Sequence, residues 1–202
     1  MNNDKFYVDI CEIWTYIPVI LTSDFKKKTM STKISYSKKV TNKYSTNIVL
    51  FVNEKFNISN LRKYISNTEF SYISDLLKNS DLKKNIFVFE VNSKKKIVLI
   101  SIKKDLKSFD VENLGAEFYN RVNYGKNSEY FINIDSIIDN QENFISYFLH
   151  GLKLKSYEFN KYKTKKETRI ISLNLIGSKN KPSVQNQLKF KALEEGTFYA
   201  RD

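Results

Sequence analysis

The sequence predicts a layered α/β domain, a mixed β-sheet flanked by helices. Three observations predict it. Asn47–Val52 is an unbroken apolar run, as expected of a strand buried on both faces. Ile86–Val91 and Lys96–Ile102 are two apolar runs joined by a few polar residues, which implies a hairpin and one antiparallel pair. Beyond residue 108, strand and helix patterns alternate, the order that builds a sheet covered by helices.

The elements follow in order. Ile34–Ser37 reads as a short strand and Asn47–Val52 as the next, with a loop over residues 53–60. Glu69–Lys78 reads as a short helix with Phe70, Ile73, Leu76 and Leu77 on one side. The hairpin comes next, its turn drawn from Asn92-Ser93-Lys94-Lys95. A helix then starts near Ser108, a candidate cap, carries Asp110 and Glu112 in its first turn and can end at Gly125. Its apolar stripe is Val111, Leu114, Gly115, Phe118 and Val122. A glycine inside a helix costs about 1 kcal/mol against alanine, so Gly115 predicts a close packing contact.

Glu129–Ile134 reads as a strand. Asp139 with Glu142 offers a capping-box-like start to a helix carrying Phe144, Ile145, Phe148, Leu149 and Leu152. Arg169–Ile176 is the last strand. After a turn, Pro182 suits the first turn of a terminal helix. Val184, Leu188, Ala192, Gly196 and Tyr199 align on one face of it, and Phe190, Leu193 and Thr197 on a neighbouring face. That helix reaches Arg201-Asp202 without a cap, which reads as a pattern halted on its way into something else.

Composition bounds the function. The chain has 202 residues, 41% hydrophobic and 28% charged, so it can bury a core of ordinary size. A single cysteine, Cys11, excludes an internal disulfide and cysteine-rich zinc sites, and it fits a reducing, cytoplasmic location. No apolar run reaches the length of a membrane span. The net charge of +12 invites a nucleic-acid reading, but only Arg62, Arg121, Arg169 and Arg201 among 34 basic residues are arginine. Lysine solubilises a surface, whereas arginine does most bidentate phosphate and base reading.

Two segments carry a resemblance. Gly151, Leu154, Tyr157, Phe159, Tyr162 and Lys163 fill the pattern G-x-x-L-x-x-Y-x-F-x-x-Y-K, and Glu195, Gly196, Ala200, Arg201 and Asp202 fill E-G-x-x-x-A-R-D. In this order they resemble the end of the N-terminal domain of the leucyl aminopeptidase family. The resemblance covers roughly residues 33–202. It implies an N-terminal extension over 1–32, with Met30 a candidate start. It also implies a macro-domain-like domain over 33–176 and the start of an interdomain helix over 182–202. In that family this domain holds no catalytic residue and sits at the periphery of a hexamer. Two divalent metal ions, zinc or manganese, bind in the catalytic domain that follows, and its motifs do not occur in residues 1–202. The resemblance therefore implies no catalytic and no metal residue here. The implied partner is a catalytic aminopeptidase domain or further copies of the chain.

His150 is the sole histidine; with no His or Cys at ligand spacing it is expected to pack or cap near the end of its helix. Cys11 lacks a nucleophile's companions. Glu194 and Glu195 are adjacent on a helix and face different ways, which does not assemble a metal site. No glycine-rich loop exists to cradle a phosphate, so a macro-like fold does not bring nucleotide binding with it. One alternative remains. Lys153, Lys155, Lys161, Lys163, Lys165 and Lys166 interleave with Tyr157, Phe159 and Tyr162, the composition of a single-strand nucleic-acid platform. The plainer reading is that the aromatics pack inward and the lysines are solvated.

Overall fold

A computed structural model describes residues 32–37, 47–123, 128–137, 143–158 and 170–201. The strands are β1 (Thr32–Ser37), β2 (Asn47–Asn53), β3 (Ile86–Asn92), β4 (Lys95–Ile102), β5 (Ser128–Asn133) and β6 (Ile171–Ile176). The helices are α1 (Asn67–Lys78), α2 (Ser108–Val122), α3 (Phe144–Lys155) and α4 (Val184–Arg201). Together they form a mixed α/β fold, a six-stranded sheet in the order β1-β6-β5-β2-β4-β3 that is parallel except for the β3–β4 hairpin.

The unbroken apolar run of β2 is explained by its place at the centre. Val49 and Phe51 face one cluster, with Phe118 of α2 and Phe148 of α3. Ile48, Leu50 and Val52 face a second, with Ile73 and Leu77 of α1. Phe51 meets Phe144 and Phe148 edge-on, with centroids 5.5 and 5.8 Å apart, an arrangement favoured by the ring quadrupoles. At the β1–β6–β5 end the sheet's two faces differ. Leu173 and Leu175 of β6 enter the helix-covered core, while Asn174 points the other way and bonds Glu129 of β5 at 2.6 Å. Period-two alternation in β6 therefore records a strand that turns one face to the helix-covered core.

Four local readings are corrected. Helix α1 begins two residues earlier than Glu69, because Ser66 and Glu69 close a reciprocal capping box. Ser108 does not cap α2: Lys107 holds that position, its backbone N–H donating to the Asp110 carboxylate at 3.3 Å. Lys95 belongs to β4 rather than to the hairpin turn, and it is buried. Pro182 lies just ahead of α4 rather than in its first turn, and Ser183 caps the helix, its hydroxyl accepting the Asn186 N–H at 3.2 Å. Gly125, the Asp139/Glu142 start and Arg169 lie outside the described residues.

The point where an open α/β sheet usually receives ligands lies between β2 and β5, where the connections diverge. Here the chain itself fills it. Ser136 Oγ accepts the Phe51 N–H at 2.9 Å and donates to the Asn133 carbonyl at 2.6 Å. Tyr64 donates its hydroxyl to the Asp135 carbonyl, and the Asp135 carboxylate accepts the N–H groups of Ser178 and Lys179, each at 2.9 Å. Gly177 allows that turn, at φ 131°.

Candidate functional site

Helix α4 packs on α3 along one line, Phe190, Glu194 and Phe198, spaced by four residues and all buried. Phe190 lies against Tyr147 and His150, with ring centroids 5.1 and 4.7 Å away. Phe198 stacks on Tyr157 at 4.9 Å with the planes 12° apart. This differs from the expected facing. Val184, Leu188, Leu193 and Tyr199 are exposed, whereas Phe190 is part of the interior. Gly196 faces open space, so no close approach explains it.

Between the two phenylalanines sits a carboxylate. Glu194 is 1% exposed. Its Oε1 lies 3.2 Å from His150 Nδ1 and its Oε2 2.9 Å from Lys153 Nζ. A buried carboxylate is tolerated only when paired and hydrogen-bonded, and here both oxygens are engaged. A carboxylate oxygen accepts, so in this contact the donor is the His150 Nδ1–H. Burial, and secondarily the negative charge of Glu194, raises the Tyr36 phenol above its ordinary pKa.

His150 does pack, against Phe190, but within α3 rather than at its end, and it has Glu194 as a polar partner. Sequence spacing gave no sign of this pair, since 44 residues separate the two. The sign that existed was Glu194 itself, placed midway between two phenylalanines at four-residue spacing. Glu194 and Glu195 do face different ways: Glu195 is exposed and lies 3.9 Å from Lys191. Among the described residues, no three His, Cys, Asp or Glu side chains gather where they could hold a metal ion. Cys11 lies outside those residues.

The basic-aromatic stretch is placed in part. Lys153 is committed to Glu194, and Tyr157 is stacked on Phe198 with the Arg201 guanidinium 5.6 Å from its centroid. Lys155 is exposed. Lys161, Lys163, Lys165 and Lys166 lie outside the described residues, as do Phe159 and Tyr162.

A second buried ion pair sits on the opposite side of the sheet. Lys95 Nζ lies 2.5 Å from Glu69 Oε1, both side chains nearly inaccessible. Burial pushes the Glu69 carboxyl up, but the hydrogen bonds from Lys95 and Ser66 outweigh it and hold the pKa below the ordinary value. This pair ties the hairpin to the first turn of α1. Among the described residues, no helix is long and apolar enough to cross a membrane.

No protein-family model matches the chain, and no curated protein matches it in sequence. Solved structures do match its backbone. One is a variant of tomato leucine aminopeptidase, with a TM-score of 0.56 and 14% sequence identity. The match covers 82% of this chain and 36% of that one, so the chain spans about a third of the aminopeptidase's length. At such identity the likeness is one of fold: the mixed sheet with its flanking helices, ending in a C-terminal helix, is an arrangement found within a leucine aminopeptidase.

Proposed function

We propose that this chain is the non-catalytic N-terminal domain of a leucyl aminopeptidase-like protein. Its role is in the assembly or regulation of an enzyme that removes N-terminal amino acids from peptides. The observation that carries the reading is the backbone likeness over 82% of the chain, beside which the quoted motif residues stand in the family's order in the sequence. Two features add support. Gly151, the first residue of the first motif, is where α3 touches the backbone of α2. Helix α4 buries one face and leaves Val184, Leu188, Leu193 and Tyr199 exposed on the others, as suits a helix that meets a second body. On this reading the two divalent ions, zinc or manganese, bind in the catalytic domain of the family, and the partner of α4 is that domain or another copy of the chain.

The test is an assay of the 202-residue chain alone with leucine anilides and amides, with manganese or zinc and with a chelator. The expected result is no metal-dependent release. Release that requires the metal and stops with the chelator overturns the non-catalytic reading.

A further inference from the structure

Between the edge strand β1, α3 and α4 lies a half-open cleft of about 280 Å3, floored by Leu149 and Phe190 and bordered by Ile34 and Tyr36. Ser146, one helical turn before His150, lines it. Its hydroxyl is buried and has no hydrogen-bond partner. Such a group is expensive: an unsatisfied buried hydroxyl lowers stability, and native structures leave few of them. Alanine there would carry no such cost. The hydroxyl is closed off from water as it stands, and a change of serine rotamer would bring it to the cleft, where a ligand could complete it.

The charge around the cleft states the ligand's sign. Three charged side chains line it, Lys153, Lys191 and Glu194. Lys153 and Glu194 neutralise each other, so two positive charges less one negative leave +1, carried by Lys191. Among the described residues, the acidic partner of Lys191 is the exposed Glu195 at 3.9 Å, a weak surface contact. Two more lysines stand at the lining rings: Lys181 Nζ is 5.6 Å from the Tyr36 centroid and Lys189 Nζ 5.7 Å from that of Phe190. The walls between these cations are mostly apolar, the composition of a small-molecule pocket with a few placed polar groups. Surplus positive charge beside walls that are mostly apolar suits an anion with an apolar body better than inorganic phosphate. We propose that this cleft binds a small carboxylate with an apolar body, its carboxylate taking the Ser146 hydroxyl and the Lys191 ammonium and its body resting on Phe190 and Leu149.

His150 makes the test direct, because it is the only histidine in the chain and lines the same cleft. Its ring resonances can be followed by NMR while benzoate is titrated, with benzamide as the uncharged analogue of the same shape and inorganic phosphate as the generic anion. The expected result is a saturable shift with benzoate and responses at least roughly tenfold weaker with benzamide and phosphate, as befits a charge-assisted contact. Ser146→Ala should keep or raise the thermal midpoint while weakening benzoate by roughly tenfold; Lys191→Gln should weaken it without changing the midpoint. The proposal is overturned by an absent or non-saturating shift, or by benzamide or phosphate matching benzoate. Undiminished benzoate binding by Ser146→Ala overturns it equally.

Discussion

Gly115 of α2 and Gly151 of α3 hold reciprocal positions in the crossing of their helices. A Cβ on Gly115 would collide with the carbonyl oxygen of Phe148, three residues before Gly151. A Cβ on Gly151 would collide with the carbonyl of Glu112, three residues before Gly115. Each glycine thus admits the backbone of the other helix. Both collisions are with backbone, which cannot swing aside. Gly115→Ala and Gly151→Ala are each expected to destabilise the domain by about 1–2 kcal/mol, the overpacking cost offset in part by alanine's helix propensity. The double variant should lose less than the sum, since separating the helices once relieves both contacts. Urea unfolding of the four proteins checks this; additive losses would show that the two contacts are independent.

Glu194→Ala leaves Lys153 and His150 facing an emptied, buried site. Removing one partner of a buried charge pair costs about 3–5 kcal/mol in general; Lys153 keeps some access to water, which puts the expectation at the lower end. Glu194→Gln keeps the shape and should cost less. Because the pair joins α4 to α3, hydrogen exchange should report selective loss of protection in α4, with the sheet unchanged. Global loss across β2 and β4 would mean that α4 is integral to the core.

The fold was largely legible. The apolar β2, the hairpin and the stripe of α2 all stand where the sequence placed them, because each follows from a local periodicity. Gly115 announced the helix crossing through its propensity cost, but its counterpart Gly151 could be identified only once the helices were placed. The S-x-x-E of Ser66–Glu69 marks the start of α1, which the apolar pattern alone, beginning at Phe70, sets too late. The site was less legible. The facing of α4 differs from the sequence expectation because Val184, Leu188 and Tyr199 form a more apolar stripe than Phe190, Glu194 and Phe198. Packing against α3 selected the line with the charge, since His150 and Lys153 wait there to receive it. No periodicity carries that information, as it depends on which surface the helix meets.

Acid should weaken the α1–hairpin junction. Glu69 has a folded-state pKa held below its ordinary 4.5 by Lys95 and Ser66. A depressed carboxylate contributes stability that is fully present above the unfolded pKa and lost as pH falls through the folded one. Wild-type stability should therefore drop between about pH 6 and about pH 3 by more than that of Glu69→Gln, which lacks the titrating group. Urea midpoints at several pH values measure both slopes; parallel curves would show that Glu69 does not contribute to the acid sensitivity.

Binding of single-stranded oligonucleotides should be weak and should fall steeply with salt, as counterion release by lysines requires. Lys153→Ala is expected to lower stability and leave the salt dependence unchanged, because Lys153 is spent on Glu194. Lys155→Ala should do the reverse, since Lys155 is exposed. Fluorescence anisotropy at two salt concentrations separates the cases. Affinity that depends on base sequence and survives physiological salt would make the stretch from Lys153 to Lys166 a genuine platform.

The outer faces of α4 bear on self-association. Leu188 is 63% exposed and Leu193 49%, with Val184 and Tyr199 more open still. Apolar side chains grouped on one exposed helix drive association when no partner covers them. Sedimentation velocity of the chain alone is expected to show concentration-dependent self-association, and Leu188→Glu with Leu193→Glu should abolish it at unchanged thermal midpoint. Phe190 behaves differently from its neighbours. It is buried against Tyr147 and His150, so Phe190→Ser should cost about 3 kcal/mol, the range for losing a buried aromatic, and should undock the helix rather than solubilise it. If the two glutamate substitutions unfold the domain as well, the outer faces are supported from within. The picture of α4 as a helix awaiting a second body would then fail.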